Sequence, residues 1–133
     1  MSRPVLADTG PLYALSDPSD QHHERASREL RRLEKEGYYV AVAYSTLSET
    51  YTLILRRLGS QYACHWLQQL LEGVMPVNPE PQDYQSAFLR LLEYPDQSIT
   101  LFDAITSVLA QRLNYPVWTY DRHFDLMRSV RWT

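Results

Sequence analysis

Lysine is nearly missing from this chain: Lys35 is the only one among 13 basic residues, and all the others are arginine. Cysteine is as scarce. Cys64 stands alone, which excludes an intramolecular disulfide, and no His or Cys spacing matches a zinc site, so a reducing cytosol is favoured over secretion. A long apolar run is also lacking. The opening MSRPVLADTG has no signal-peptide core, and no stretch approaches the length needed to cross a bilayer, so a soluble cytoplasmic protein is expected. Nor is there an excess of positive charge. A formal net charge of −3 excludes the overall basic footprint of a dedicated nucleic-acid-binding module. The arginine bias remains compatible with phosphate recognition, for which the planar guanidinium is suited, and equally with a GC-rich genome. Repeats, low-complexity tracts and linkers are absent too. What is present, 133 residues of which 44% are hydrophobic, suffices for the core of one compact domain spanning residues 1–133.

Along the chain, strand-like and helix-like segments alternate. Arg3 to Ala7 reads as a short buried strand, and DTGPLYALSD as a turn into a helix with Pro11 in its first turn. Asp20 is expected to cap a helix to about Glu36, with Ala26, Leu30 and Leu33 on its apolar stripe. His22 and His23 are adjacent on that helix, diverge by about 100°, and so cannot share a metal. Tyr38 to Ala43 is a second strand, and STLSETYTLILRRLG a helix stopped by Gly59. Ser60 to Leu71 forms another helix, in which Cys64 and His65 are given no chemistry. GVMPV is a short strand weakened by Pro76, and a helix follows from about Pro79 to Leu92. After the loop YPDQSIT, a helix opened by Asp103 runs to the break at Asn114, the run Pro116 to Tyr120 is β-prone, and Arg122 to Met127 is a short helix. The alternation predicts an α/β class with a mainly parallel sheet and right-handed crossovers.

Four acids fall at the joints of this pattern: Asp8 after the first strand, Glu49 and Asp103 near helix starts, and Asp121 after the last strand. Each has a local explanation. Asp8 or Thr9 can cap a helix, Thr46 with Glu49 and Thr100 with Asp103 fit capping boxes, and Asp121 can cap the short helix that follows. Jointly they are harder to dismiss, because a parallel sheet gathers strand exits on one edge, where α/β folds bind ligands. Carboxylates gathered there repel one another unless protonated, hydrogen-bonded, or neutralised by a divalent cation, and an all-oxygen donor set favours Mg²⁺ or Mn²⁺ over zinc.

At this point the strings VLADTGPLYAL, DQHHERA, STLSETYTLILRRLG, LFDAITSVLA and TYDRHF are similar, in order and spacing, to the motifs of the PIN-domain nucleases. The chain most resembles the toxin-type members called VapC, over nearly its whole length, which implies a three-layer α/β/α fold with a mainly parallel, roughly five-stranded central sheet. The resemblance implies that Asp8, Glu49, Asp103 and Asp121 are catalytic and surround one or two Mg²⁺ or Mn²⁺ ions, with Thr9 and Thr119 as supporting ligands or orienters. It makes His23 a packing histidine. Asp125 is a secondary candidate and Asp96 a weaker one. The implied activity is endonucleolytic hydrolysis of single-stranded or looped RNA, leaving a 5′-phosphate and a 3′-hydroxyl. Implied partners are a cognate antitoxin, whose basic side chains enter the acid pocket, and a second copy of the chain in a homodimer. The closing MRSVRWT lacks the glycine that usually precedes the family's final strand, so the resemblance does not extend to that strand or to dimer contacts made by it.

Two other readings use the same acids. A catalytically weak or inactive module would act by binding a protein partner or RNA through the pocket. A receiver-type phosphotransfer domain also clusters aspartates at a sheet edge, but it needs a lysine beside the phosphorylation site, and Lys35 lies on a charged helical face.

Overall fold

Arg3–Ala7 (β1) and Tyr38–Ala43 (β2) pair in parallel from Arg3 against Tyr38 to Leu6 against Ala41, and the rest of the molecule is built on that pair. The computed structural model describes residues 2–133. Two further parallel strands flank the pair: Met75–Val77 (β3) beside β2, and Val117–Trp118 (β4) beside β1. The order is β3-β2-β1-β4. Helices Thr9–Ser16 (α1), His23–Lys35 (α2), Tyr44–Leu58 (α3), Ser60–Gly73 (α4), Pro81–Leu92 (α5), Leu101–Leu113 (α6) and His123–Leu126 (α7) connect and cover the strands.

Alternation along the strands explains the three layers. Leu6, Ala41, Ala43 and Val117 face one core with Ala87 of α5, Ile105 and Leu109 of α6 and Phe124 of α7. Val5, Ala7, Val40, Val42 and Trp118 face the other, with Leu12 of α1, Ala26 and Leu33 of α2 and Leu47 of α3, and with Trp66 and Leu70 of α4 packed against it. Both faces of the sheet are thus covered, as a parallel sheet requires, and the expected α/β/α layering is found. Among the described residues no helix is long and apolar enough to cross a membrane.

The chain end supplies the beginning of a fifth strand. Val117 N–H donates to Val130 O and Trp132 N–H to Val117 O, each at 2.8 Å, and Arg131 forms a parallel bridge with Val117. The turn that permits this is made at Arg128, whose φ of 62° is the left-handed conformation that a glycine adopts at less cost. Gln111 Nε2 braces the turn by donating to Met127 O and Arg128 O at 2.9 and 3.2 Å. The closing segment therefore reaches the sheet through an arginine in the left-handed conformation.

Strand order also fixes where a ligand can sit. From β1 the chain moves outward through β2 to β3, then crosses back to place β4 on the opposite side of β1. The reversal lies between β1 and β4. At such a point the connections leave the carboxyl ends of the two neighbouring strands in opposite directions and open a crevice there.

Candidate metal centre

Asp8 follows β1 directly, and its backbone N–H still donates to Trp118 O of β4 at 2.9 Å, so the carboxylate is fixed at the mouth of the crevice. Its side chain caps nothing in α1. Instead Asp8 Oδ2 accepts from Thr119 Oγ1 at 2.9 Å, and that same Thr119 oxygen accepts from the Asp121 backbone N–H at 2.9 Å. One buried hydroxyl thus ties the acid after β1 to the acid after β4. Its neighbours in sequence are held from outside the site: Glu29 of α2 accepts from Trp118 Nε1 at 3.1 Å and from Tyr120 OH at 2.6 Å. Thr119 has little freedom as a result.

Glu49 arrives on α3. Since α3 starts at Tyr44, immediately after β2, Thr46 lies inside the helix and forms no capping box with Glu49. The Thr46 hydroxyl contacts Thr106 Oγ1 of α6 at 3.2 Å, while Glu49 Oε1 accepts from Thr9 Oγ1. Thr46 is one turn before Glu49 and Thr106 one turn after Asp103, so the crossing of α3 and α6 is pinned next to both acids. Asp103 sits in the first turn of α6, where its N–H donates to the capping Thr100 Oγ1 at 3.1 Å. Asp121 accepts from His123 N–H at 2.9 Å and so opens α7.

The electrostatics follow from that convergence. Burial, reinforced by the charges of Asp8 and Asp121, pushes the Asp103 carboxyl up to about 8. Burial also raises Asp8, to about 6, against the hydrogen bond from Thr119 and with Glu49 and Asp121 adding repulsion. Glu49 is raised by burial as well, against its bond from Thr9. Carboxyls in this state either hold protons near neutral pH or meet an external cation. The donor set suits a divalent cation: one ligand atom from each of Asp103, Asp121 and His123 lies within 4.8 Å of the others, and His123 Nδ1 is buried without a hydrogen-bond partner. A groove of about 540 Å³, lined by Asp8, Gly10, Tyr120, Asp121 and Arg122, opens the site to solvent.

Other residues singled out in the sequence have different surroundings. Asp125 is exposed and pairs with Arg131 at 3.0 Å. Asp96 is exposed in the loop before α6. His23 Nδ1 donates to Ala14 O at 2.7 Å and joins α2 to α1. His123 and Arg122 were not legible as site residues. The signal for His123 was its place two residues after Asp121, a spacing equally common at a helix start.

Comparison with known proteins agrees with this architecture. A family model described as PIN domain matches residues 5–129. Solved structures similar to the chain include Mycobacterium tuberculosis VapC20, a sarcin-ricin loop cleaving toxin, at 21% identity and a TM-score of 0.83 over 96% of this chain and 98% of that one. VapBC2 from Rickettsia felis, bound to a DNA fragment from its promoter, is similar at 14% identity and a TM-score of 0.75 over 96% of each chain. VapBC-1 from nontypeable Haemophilus influenzae is similar at 15% identity and a TM-score of 0.74, over 98% of this chain and 96% of that one. Among curated protein sequences no relative matches. With the family model covering almost its full length, and with the parallel sheet and acid-lined crevice in place, the chain belongs to the PIN domain family.

Proposed function

We propose that this protein is a divalent-metal-dependent endoribonuclease of the VapC toxin type, acting in the cytoplasm and held in check by a cognate antitoxin. The observation that carries the reading is the convergence of Asp8, Glu49, Asp103 and Asp121 on the crevice between β1 and β4, with three of them raised in pKa and, among the described residues, no salt bridge from Lys or Arg to any of the four. Asp8, Asp103, Asp121 and Glu49 would hold one or two Mg²⁺ or Mn²⁺ ions. A bound ion would supply Lewis-acid polarisation of a phosphodiester and a water acidic enough to attack it.

The side chains divide the remaining work. Thr119 donates to Asp8 and accepts from the Asp121 N–H, so the two carboxylates keep a fixed separation and present their free oxygens to the groove. Thr9 donates to Glu49 and so orients that carboxylate. Asp8 and Asp103 are buried at the base of the crevice, and the groove lined by Asp8 and Asp121 is the open side from which an RNA strand would approach. Arg122 lines the groove, and its guanidinium suits a phosphate oxygen. Likeness to a sarcin-ricin loop cleaving toxin and to VapBC structures supports both partner assignments. A homodimer follows from family likeness.

The test is cleavage of single-stranded and looped RNAs by the parent and by the Asp8→Asn and Asp103→Asn variants, with Mg²⁺, with Mn²⁺ and with chelator. Cleavage by the parent alone, and only with metal, is expected. Equal cleavage by parent and variants overturns the reading. A parent inert on every RNA, yet tightly bound by a small partner, establishes the interaction-module reading instead.

A further inference from the structure

Among the described residues, His123 brings a ring nitrogen to the carboxylates of Asp103 and Asp121. Its side chain is 23% exposed, but Nδ1 itself is buried and makes no hydrogen bond. That is unusual, because a buried ring nitrogen left unpaired forfeits its hydration without a compensating hydrogen bond. Asp121 Oδ1 lies only 3.2 Å away, yet the alignment is not that of a hydrogen bond. The Asp121 oxygen is already engaged by the His123 backbone N–H at 2.9 Å at the start of α7. A spacing of 3.2 Å is also close to the separation of adjacent ligands on a six-coordinate ion, which is about 3 Å for bonds of about 2.1 Å. Both the orphaned atom and its distance from Asp121 are explained if a cation sits between Nδ1 and the carboxylates.

Resting on the nuclease reading above, we infer that His123 Nδ1 is a metal ligand alongside Asp103 and Asp121, giving this chain a mixed nitrogen–oxygen centre. A ligand set of carboxylates alone suits Mg²⁺ and Mn²⁺ alike, whereas imidazole favours later divalent metals and follows the order in which Mn²⁺ precedes Co²⁺ and Ni²⁺ in rising affinity. Mg²⁺, with its demand for oxygen ligands, gains least from an imidazole. The centre therefore discriminates: Mn²⁺, and Co²⁺ more strongly, bind in preference to Mg²⁺, and the preference depends on His123. With Nδ1 ligating, the ring proton sits on Nε2.

The alternative is a histidine that only orients Asp121 and never touches the ion. Pulsed electron paramagnetic resonance of the Mn²⁺-loaded protein separates the two. Ligation predicts modulation from a directly coordinated imidazole nitrogen, converted to the ¹⁵N pattern by ¹⁵N-histidine labelling of the unaltered chain and lost in His123→Gln. It further predicts that His123→Gln weakens Mn²⁺ binding about tenfold or more, with a smaller loss for Mg²⁺, so that the Mn²⁺-to-Mg²⁺ affinity ratio falls. Bound Mn²⁺ without nitrogen coupling, or an unchanged affinity ratio in the variant, overturns the assignment. If RNA cleavage by the same preparation still requires Asp103, the nuclease reading survives that result and only the role of His123 falls. A parent that neither binds Mn²⁺ nor cleaves RNA overturns both.

Discussion

Helix α6 carries two opposite treatments of a buried carboxylate, one at each end. At its last turn Arg112 reaches Asp83 of α5 with two hydrogen bonds of 2.8 Å, and the guanidinium holds Asp83, 1% exposed, below the usual carboxylate range. Asp83 also accepts from Glu80 N–H at 2.8 Å and so caps α5. At its first turn Asp103, 8% exposed, faces Asp8 and Asp121 and is pushed up instead. The same helix thus supplies an arginine for one buried acid and none for the other. Where an internal cation satisfies the charge, the pair is structural. Where the fold leaves acids facing one another, the counter-charge must come from outside, and that is the physical difference between a clamp and a site.

Breaking each end separately sharpens that contrast. Asp103→Asn is expected to lower RNA cleavage by at least ~100-fold, more than changes to groups that merely orient ligands, while the melting temperature of the metal-free protein holds or rises because a repulsion is removed; single-turnover cleavage and thermal unfolding check the two halves. Arg112→Met strands Asp83 without its partner and is expected to cost roughly 3 kcal/mol, measured by urea unfolding, with the metal site left intact. The double change Asp83→Leu with Arg112→Met recovers most of that loss if the cost is the stranded charge. Thr119→Val unties Asp8 from Asp121, and a fall in cleavage of about tenfold is expected with a stability loss of about 1 kcal/mol.

Acid response divides the two ends further. Asp103 and Asp8 have raised folded-state pKa values, so their contribution to stability is full below about 4, the unfolded value, and is lost as pH rises through about 6 and then about 8. Asp83, lowered by Arg112, behaves oppositely, contributing above the unfolded value and losing that contribution as pH falls through its folded value. Metal-free protein is therefore expected to lose melting temperature from pH 5 to 8, a slope that Asp103→Asn flattens and saturating Mn²⁺ removes. The smallest effect is expected at Asp125→Asn, which breaks only an exposed pair with Arg131: cleavage unchanged and a stability shift under about 0.5 kcal/mol by thermal unfolding.

What was legible in the sequence had a local cause. The strand Tyr38–Ala43 showed in its β-branched and aromatic run, the end of α6 in Asn114, which takes a φ of 59°, and the cap of α6 in Thr100. Less legible features had partners far along the chain. Thr46 and Glu49 are spaced like a capping box, but one turn separates the same residues inside a helix, and their hydroxyl and carboxylate go to Thr106 and Thr9. Arg112 fits the helical stripe of α6, and only the approach of α5 reveals it as an ion-pair partner 29 residues from Asp83. Arg128 gave no sign of a turn, since an arginine adopts left-handed φ only where the surroundings compel it.

By itself the sequence determined the alternation of elements, the parallel class of the sheet and the positions of four acids at element ends, because periodicity, caps and breakers act within a few residues. The tertiary structure alone decided the strand order, and with it the switch point between β1 and β4 that turns Asp8 and Asp121 into neighbours through Thr119. It alone decided which acids receive an arginine and left His123 Nδ1 without a partner. Burial and the meeting of distant side chains set those outcomes, and neither is encoded in any short stretch of the chain.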